Sequence, residues 1–535
     1  MQEYMMNRMQ QISDERNRKI NKIEKIKALK RPLSVYKKLE LISSGGLDNL
    51  SYEDGKFFLK CFGAFLKKDG RFMLRVRIPA GQLSVEQAAS IGELSRVYGE
   101  DSINITTRQQ IELNYIRIED LYSVIKALED AGVSTFQTGI DNFRNIVTSS
   151  FDGLGNQSII TVKPLIDEMQ SIFLEKEEWI GTLPHKFNTA VFGTAINDCS
   201  IYGHDCSFIV AKKGDETGFN LYLGGKVGVQ AEGTGLFVRK DEVVTVFNAV
   251  IHLFKTYGFR DKRTKNRLHF LLEAVGMEAF ADAIRSYSGL DFNSGGDILV
   301  TEEFMLDEGG QYDLGKGLMA VHLGIPAGKF TGENLLEAAK ITKQVNGEIR
   351  LSVEQSLYIV TTREKVKEVK ESVLFDLYSR YHHIYFNHQI ACAGALTCAY
   401  GVIPGKSDAI EMSNYLQREV PIFGGKVRMY WSACPHGCGI HRVADIGFEG
   451  CRAKDEEGNR VNGVHIYLGG KAAKEAKEAR LLYKAIPIKD AKCKVKKLME
   501  IYRDEREEGE SFESFDSRVL AKLSLGEIVE KIEVC

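Results

Sequence analysis

The sequence repeats itself at an offset of about 245 residues, and this duplication restricts the folds that the chain can adopt. Three pairs of segments carry it: RIPAG at 77–81 and GIPAG at 324–328, TTRQQIELNYI at 106–116 and SVEQSLYIV at 352–360, GFNLYLGGKVG at 218–228 and GVHIYLGGKAA at 463–473. Three anchors in the same order at offsets of 245 to 247 are hard to obtain by chance. We therefore expect two copies of one module, packed about a pseudo-twofold axis with the modules that contain the I-P-A-G segments adjacent.

Each copy has the same predicted order of elements. A short strand ends in I-P-A-G, and a helix, a strand and a second helix follow it. A longer mixed segment then closes in a Y-L-G-G turn. Strands that alternate with amphipathic helices in this way indicate an α+β architecture. The chain is thus predicted to be a duplicated α+β module.

The composition excludes several classes of function. The formal net charge is −2, which gives no general attraction to nucleic acid or to anionic membranes. No apolar run approaches the roughly 20 residues that a membrane-spanning helix needs. The N-terminal segment is charged throughout and lacks the apolar centre of a secretory signal. We expect an exposed helical arm at 1–55 and a cytoplasmic protein, with no nucleic acid or membrane partner.

Four of the ten cysteines form an organised pattern. Cys392 and Cys398 lie in CAGALTC (C-x5-C), and Cys434 and Cys438 lie in CPHGC (C-x3-C). In a reducing compartment these are free thiols or metal ligands rather than disulfides. Buried packing, structural zinc and a 4Fe-4S cluster are the three interpretations. Zinc sites usually have two to four residues between paired ligands, whereas the small neighbours here suit a cluster approached by backbone amides; the spacing favours the cluster.

The two copies differ in their charged residues. The first copy carries a set of basic side chains: Arg75, Arg77, Arg108, Arg144 and Lys186. At aligned positions the second copy has His322, Gly324 and Glu354 instead, and it has the four cysteines. Buried guanidinium groups are costly unless they are paired. The first half is therefore predicted to hold a polyanion, and the second half a metal cluster.

These motifs carry a resemblance to a known family. FMLRVRIPAG, TTRQQIEL, LPHKFNTAV, GFNLYLGG, the C-x5-C pair, CPHGC and VADIGFEGC occur in the order found in the siroheme and 4Fe-4S cluster family of nitrite and sulfite reductases. The chain resembles that family from about residue 55 to residue 500. The resemblance implies two ferredoxin-like half-domains packed together and two larger α/β cofactor-binding domains related by pseudo-twofold symmetry. The expected boundaries are 56–135 and 308–375 for the half-domains, and 136–300 and 385–535 for the larger domains.

The resemblance also implies cofactors and site residues. Siroheme is a polycarboxylate, which would account for the basic residues through charge-assisted hydrogen bonds. The four cysteines would ligate the cluster, with Cys438 bridging it to the siroheme iron. By position, Arg75, Arg144, Lys186 and Asn188 resemble residues around the substrate site, and Arg108 resembles a residue that contacts the macrocycle. Of these, Arg75, Arg108, Arg144 and Lys186 are also expected to bind the cofactor.

The implied reaction is the six-electron reduction of nitrite to ammonium, with reduction of sulfite to sulfide as the alternative. Sulfite-reducing relatives typically carry a second lysine where this chain has Asn188. Because nitrite is a monoanion and sulfite is partly dianionic, losing one cation should weaken sulfite binding more. The histidines at His185 and His436 depart from the usual family residues. A hypothesis of another class is a non-catalytic four-cysteine metal or electron-transfer protein, which would not need the basic residues.

The chain lacks a dinucleotide-binding glycine motif and an obvious flavin domain, so its electrons must come from outside. Ferredoxin or another low-potential donor is expected, acting on a monomeric enzyme. We expect the donor to dock near the cluster through Lys426, Arg428, Arg442 and Arg452, with a rate that falls as salt screens these charges.

Overall fold

The structure is a computed structural model that describes residues 2–198, 201–226, 228–300, 302–304, 306, 309–398, 400–471 and 477–534. Its side-chain description excludes 2–5, 302–303 and 534. The predicted start of the second half-domain, residue 308, lies outside the described residues. Within them, no helix is long and apolar enough to cross a membrane.

The N-terminal segment is helical, as expected, but it is not an exposed arm along its whole length. Its helices are α1 (Gln2–Asn17), α2 (Lys22–Lys27), α3 (Pro32–Tyr36) and α4 (Leu39–Ser44). Met9 is buried in the core of the first larger domain. Arg16 pairs with Asp261 at 2.8 Å, and Arg260 pairs with Glu24 at 2.9 Å. The expectation of an exposed arm is wrong because apolar and charged contacts fasten α1 and α2 to the rest of the chain.

The first half-domain is a small sheet covered by helices. Its elements are β1 (Ala64–Leu66), β2 (Phe72–Val76), β3 (Gln82–Leu83), α5 (Val85–Tyr98), β4 (Ile103–Ile105), β5 (Ile111–Ile116) and α6 (Ile118–Asp130). Helix α5 begins where Ser84 and Gln87 form a reciprocal capping box. Its buried face and that of α6 pack against apolar residues of the sheet.

The first larger domain contains a six-stranded sheet with helices against it. Its elements are α7 (Lys163–Ser171), β6 (Thr189–Phe192), β7 (Ile196–Asn197), β8 (Cys206–Lys213), β9 (Glu216–Leu223), β10 (Glu232–Val238), α8 (Val243–Tyr257), α9 (Leu268–Val275), α10 (Met277–Ser288), β11 (Asn293–Ser294) and β12 (Asp297–Ile298). A short strand β13 (Glu302–Glu303) then pairs in parallel with β7.

The second half repeats this order. The half-domain contains β14 (Gln311–Gly315), β15 (Leu318–Leu323), β16 (Lys329–Phe330), α11 (Gly332–Gln344), β17 (Glu348–Leu351), β18 (Leu357–Thr362), α12 (Val366–Lys370) and α13 (Val373–Ser379). The larger domain contains β19 (Gln389–Ala391), α14 (Lys406–Glu419), β20 (Met429–Ser432), β21 (Ile446–Lys454), β22 (Arg460–Leu468), β23 (Arg480–Pro487), α15 (Ile488–Glu505), α16 (Phe512–Arg518) and α17 (Leu525–Val534).

The two half-domains exchange strands. Strand β3, after the first I-P-A-G segment, pairs with β17 of the second half, and β16, after the second I-P-A-G segment, pairs with β4 of the first. The sheet orders are therefore β1-β2-β5-β4-β16 and β14-β15-β18-β17-β3. One hydrophobic core runs through both half-domains. The predicted adjacency of the two modules that contain the I-P-A-G segments is confirmed.

Matching side-chain contacts show the pseudo-twofold relation at atomic level. Gln109 donates from Nε2 to the carbonyl of Leu351 at 2.9 Å, and Gln355 donates to the carbonyl of Ile105 at 3.0 Å. Helices α5 and α11 cross at Gly92, where a Cβ would lie 2.7 Å from the carbonyl oxygen of Gly332. Glycine is required there because real Cβ atoms do not approach a backbone oxygen that closely.

The larger domains also share a topology. Strands β6 and β8 are parallel, and β8, β9 and β10 are antiparallel. In the second half β20 and β21 are parallel, and β21, β22 and β23 are antiparallel. The duplicated α+β architecture predicted from the repeat is confirmed.

Candidate active site

Two loops bring the cysteine pairs side by side. The C-x5-C loop follows β19, which lies parallel to β20, and the C-x3-C turn follows β20. The backbone N–H of Cys392 donates to the carbonyl of Trp431 at 3.0 Å, and that of Ala433 donates to Cys392 Sγ at 3.1 Å. A Cβ at Gly439 would lie 1.9 Å from the carbonyl oxygen of Trp431, so glycine lets the turn close against the strand.

The four thiols lie within electrostatic reach of one another. Burial raises the pKa of Cys392 to about 11, and the thiolates of Cys438 and Cys434 contribute to the rise. Burial also raises the pKa of Cys434, with contributions from Cys438 and Cys398. The structure therefore brings together all four predicted ligands. A positively charged iron cluster would reverse this mutual repulsion and hold the sulfurs as thiolates.

The preference for a 4Fe-4S cluster over structural zinc rests on the spacing of the four cysteines and on their small neighbours.

Cys438 is the exposed member of the four, and it faces the basic residues of the first half. Burial, with the neighbouring charges of Arg108 and Arg267, lowers the pKa of Lys186 to about 7, while Cys438 opposes this shift. The ammonium group of Lys186 has no acidic partner among the described residues. Both Arg108 and Lys186 are half-buried, so their charged groups remain partly accessible to solvent.

Asn188 and Arg108 are hydrogen-bonded to each other. Arg108 Nε donates to Asn188 Oδ1 at 3.1 Å, which directs the amide NH₂ of Asn188 away from the guanidinium. The Asn188 backbone N–H donates to the buried carboxylate of Asp205 at 2.8 Å. Burial, together with the charges of Arg75 and Arg267, lowers the pKa of Arg108 to about 10. Asn188 is therefore held rigidly between a carboxylate and a guanidinium.

Arg75 and Arg144 are more completely paired within the protein. Arg75 donates to Glu112 from Nε at 3.0 Å and from Nη2 at 2.7 Å. Arg144 is buried, and its guanidinium donates to the carbonyls of Asn142 at 3.2 Å and Ile140 at 2.9 Å. Burial, with the charges of Arg75 and Arg108, holds the pKa of Arg144 well below its usual value. No carboxylate neutralises Arg144 within hydrogen-bonding distance among the described residues.

Arg77 has a structural role. It is buried and donates to four backbone carbonyls, those of Phe136, Gln137, Phe143 and Arg144. These bonds tie β2 to the segment that leads into the first larger domain. Its conspicuous position in FMLRVRIPAG reflects this structural task.

The two histidines that differ from the usual family residues, His185 and His436, lie in different parts of the structure. His185 Nδ1 accepts the backbone N–H of Lys186, and burial together with Arg263 and Lys186 holds the His185 pKa far below its usual range. Its ring is therefore neutral at ordinary pH. His436 lies on the cysteine side, with Nδ1 3.5 Å from Cys434 Sγ and its ring 4.9 Å from that of Tyr400. The ring of His185 therefore adds no positive charge beside Lys186 at neutral pH.

Sequence reasoning missed Asp205 and Arg267. Arg267 donates to both oxygens of Asp205, at 2.7 Å each, and to the carbonyl of Gly225 at 3.2 Å. The repeat held a signal for Asp205, since DCSF at 205–208 aligns with DIGF at 445–448. Arg267 has no recognisable counterpart in the second half, because its segment follows the last of the three repeated segments.

The predicted donor-docking residues are only partly at the surface. Arg428 is buried and pairs with Asp445 at 2.5 Å and Glu513 at 2.6 Å. Lys426 is half-buried and donates to the carbonyl of Phe304 at 3.2 Å. The prediction that Arg428 takes part in docking is wrong because its charge is already neutralised inside the protein.

Comparisons with known proteins agree with this geometry. The family profile described as the nitrite and sulphite reductase 4Fe-4S domain matches residues 139–292 and 388–529. The profile described as the nitrite/sulfite reductase ferredoxin-like half domain matches residues 65–131 and 313–374. The chain belongs to the nitrite and sulfite reductase family. Each of its two profiles matches twice, once in each half, as the duplication requires.

Relatives in this family align over most of the chain. The chloroplastic ferredoxin–nitrite reductase of Spinacia oleracea is 30% identical over 498 residues, covering 88% of this chain and 83% of its own length. The ferredoxin–nitrite reductase of Leptolyngbya laminosa is 30% identical over 490 residues, covering 88% and 95%. The structure of the Mycobacterium tuberculosis NirA protein matches with a TM-score of 0.87 at 23% identity, covering 96% of this chain and 98% of that one.

The cofactors of this nitrite and sulfite reductase family are siroheme and a 4Fe-4S cluster. The residues present fit both groups. Two cations have no carboxylate partner among the described residues, the half-buried Lys186 and the buried Arg144, and they suit a polycarboxylate; the four adjacent thiols suit the cluster.

Proposed function

We propose that the chain catalyses the six-electron reduction of nitrite to ammonium. The observation that carries the proposal is the unneutralised cationic group around Lys186 and Arg108, set opposite the exposed thiol of Cys438. A non-catalytic electron carrier with a cluster alone would have no use for these half-buried cations, because removing them even partly from water without a bound anion is unfavourable. The relatives named as nitrite reductases support the same choice of substrate.

When bound, siroheme and the cluster supply the metal site for the anion and the stored electrons. Cys392, Cys398, Cys434 and Cys438 would hold the cluster, with Cys438 facing the macrocycle. Arg108 and Arg144 would pair with carboxylates of siroheme, and Arg75, already paired with Glu112, would contribute a hydrogen-bonding rim. The redox chemistry belongs to the cofactors, while the protein provides binding and orientation.

Lys186 is the side chain that we assign to proton delivery and anion binding. Burial and the neighbouring cations lower the pKa of Lys186 to about 7 in the protein alone, and a bound anion would keep the ammonium group charged, so that it could donate a proton from Nζ to that anion. A bound anion favours the charged form, so Lys186 binds the anion while protonated and stabilises negative charge on oxygen as N–O bonds weaken. The amide of Asn188, fixed by Arg108, offers a neutral donor beside it.

Substrate preference is the test of this proposal. Ammonium and sulfide formation are measured from nitrite and sulfite with one low-potential donor. We expect a higher kcat/KM for nitrite in the native enzyme. Asn188→Lys adds a positive charge and should move the ratio toward sulfite by about tenfold, which corresponds to about 1.4 kcal/mol, with unchanged siroheme content. A native preference for sulfite would contradict the proposal.

The electron donor is proposed to be a ferredoxin, which docks on a surface that we call the outer cluster face. It consists of Leu396 and Tyr400, which are 76% and 58% exposed, and of Lys60 and Lys67 beside them. Lys67, Leu396 and Thr397 line one small cavity next to Cys398. Burial lowers the pKa of Lys60 to about 8, and Cys398 is near enough to oppose that shift. This face offers two exposed apolar side chains with two half-buried lysines close to a cluster ligand, which suits a small acidic carrier.

Lys60→Glu should raise the KM for ferredoxin about tenfold and weaken its salt dependence, with an unchanged rate from a small-molecule reductant. Arg452→Glu is the matched control, since Arg452 is exposed and was expected to dock from the sequence. Equal effects of the two variants would contradict docking at the outer cluster face. A monomeric state and a cytoplasmic location complete the proposal.

A further inference from the structure

A buried polar network lies directly behind the CPHGC turn. His441 is 1% exposed, and its Nδ1 lies 2.8 Å from Ser432 Oγ. Its Nε2 lies 2.9 Å from Glu449 Oε2. The hydroxyl of Tyr467 donates to the same carboxylate oxygen at 3.1 Å. A buried imidazole thus bridges a hydroxyl group and a carboxylate.

The network is connected to the cysteine turn at both of its ends. Ser432 precedes Cys434 by two residues, and its Oγ accepts the backbone N–H of Gly439, which follows Cys438, at 3.0 Å. The carboxylate of Glu449 is close enough to Cys434 to add to the rise in thiol pKa that burial causes. A change of charge in the network is therefore felt at the proposed cluster.

The first half shows that the fold does not need polar groups here. Ser432 and Glu449 are cross-strand partners in β20 and β21. Phe192 and Ile209 are the corresponding partners in β6 and β8, 240 residues earlier. Those two residues pack with Ile201 in a buried apolar cluster. The same position is thus apolar in the half without the cysteines and carries serine, histidine and glutamate in the half that has them.

We propose that His441 and Glu449 form a proton-accepting pair for the 4Fe-4S cluster. The inference rests on the proposed ligation of the cluster by the four cysteines. One electron from the external donor enters the cluster, and one proton from solvent binds Nδ1 of His441. The Ser432 hydroxyl donates to the neutral ring and accepts from the imidazolium, and Glu449 stabilises the imidazolium through Nε2.

The surrounding charges favour this coupling. Burial opposes ionisation of Glu449, but the hydrogen bond from His441 and the positive charge of its imidazolium form, with the hydrogen bond from Tyr467, outweigh it and lower the Glu449 pKa. Arg442 is the nearest other cation, with its guanidinium 3.9 Å from the carboxylate, and His465 also acts on Glu449 from β22. With a neutral ring, the pair keeps a negative charge beside the cluster. An added electron raises the local negative potential and draws a proton to His441.

The test is an EPR-monitored redox titration of the cluster in the holoenzyme between about pH 6 and about pH 9. We expect the midpoint potential of the native enzyme to fall as pH rises, and that of His441→Gln to be independent of pH. Glutamine keeps a polar group of similar length but cannot take up the proton. Parallel pH dependence in the two proteins would overturn the inference.

Two further variants keep the test decisive. Glu449→Gln preserves shape and hydrogen bonding, and it should raise the potential at high pH and reduce its pH dependence; an unchanged titration would overturn the inference even where His441→Gln fails to fold. His436→Gln removes the exposed histidine beside Cys434, and loss of the pH dependence in that variant alone would place the proton at His436 instead. A native enzyme without a cluster signal would defeat the proposed function itself, which is a distinguishable outcome.

Discussion

We call the region around Lys186 and Asn188 in the first half the first pocket, and the equivalent region around Lys426 and Arg428 in the second half the second pocket. The two pockets share a framework and differ in how their charges are balanced. In the first pocket the backbone N–H of Asn188 donates to Asp205 at 2.8 Å, and in the second that of Arg428 donates to Asp445 at 2.7 Å. Each pair lies 240 residues from its counterpart. The scaffold is therefore the same down to a buried aspartate that fixes the strand before it.

The second pocket is neutralised and filled by the protein itself. Glu354 stands where the first half has Arg108, and its carboxylate lies 2.8 Å from His388 Nδ1. Arg428 stands where the first half has Asn188, and it pairs with Asp445 and Glu513. The Phe304 ring is buried against Phe151 and Tyr358, and its carbonyl accepts from Lys426. Among the described residues of this pocket, Arg428 is already ion-paired, so its charge is not available to attract a polyanion.

The pairing of the basic side chains is what distinguishes the two halves in cofactor binding after the duplication. Both halves keep this backbone framework, but Lys186 and Arg108 of the first pocket have no ion pair among the described residues, whereas Arg428 of the second pairs with Asp445 and Glu513. The cost of those cations is offset when a polycarboxylate binds. In the second half, aromatic packing and ion pairs replace the ligand as the source of stability.

Removing a cluster ligand should have the largest effect on the protein. Cys398→Ser is expected to abolish bound iron and sulfide of the cluster and all nitrite reduction, because a hydroxyl is a poor iron ligand. Cys451→Ser is the control, since this half-buried thiol lies in the same domain outside the quartet. Iron and acid-labile sulfide are measured in both proteins. Full cluster content in Cys398→Ser would refute the ligand assignment.

Emptying the second pocket should destabilise the protein without affecting the first. Phe304 is 2% exposed, so Phe304→Ala is expected to cost about 3–5 kcal/mol in the free energy of unfolding. Phe423→Ala serves as control, because Phe423 is 73% exposed and should cost less than about 0.5 kcal/mol. Denaturant unfolding measures both. A variant at Phe304 that bound additional siroheme would show that packing alone closes this pocket.

Removing the unpartnered cation of the first pocket should impair catalysis. Lys186→Met is expected to lower kcat/KM for nitrite by about 100- to 1,000-fold per bound siroheme. Lys426→Met, 240 residues later in the second pocket, should leave this value within about twofold. Equal losses in the two variants would mean that the pockets do not differ in the way described.

The pKa of Lys186 predicts a smaller, pH-dependent effect on the apoprotein. Its pKa falls from 10.5 in an unfolded chain to about 7 in the fold. Between these values the unfolded state binds the extra proton, so the stability contributed at this site rises with pH. The native apoprotein should therefore gain about 1–2 kcal/mol relative to Lys186→Met between about pH 7 and about pH 9.

Urea unfolding at several pH values measures this difference. Siroheme should abolish it, because bound carboxylates favour the charged lysine. A difference that is constant with pH, or one that falls as pH rises, would contradict the low pKa.

Much of this architecture could be predicted from the sequence because the repeat is explicit. The I-P-A-G and Y-L-G-G segments predicted the duplication, and the spacing of the cysteines indicated the quartet that the structure brings together. The exchange of β3 and β16 could not be predicted, since local patterns do not say which copy a two-residue strand joins. The expected domain boundaries remain predictions.

The details of charge pairing could not be predicted from the sequence either. Arg75 and Lys186 are equally conspicuous basic residues, yet Glu112 neutralises one and no described carboxylate neutralises the other. Arg428 was expected at the surface because arginine usually lies there, but Asp445 and Glu513 make its burial tolerable. Which cation is paired depends on contacts between residues distant in sequence.

The most direct test of the difference between the pockets is the siroheme content of the purified chain. The protein is produced in cells that make siroheme, the tetrapyrrole is extracted, and its amount per chain is determined from its visible absorbance. We expect one siroheme per chain in the native protein. Two per chain would show that the second pocket is open, and none would show that the cations of the first pocket serve some other anion.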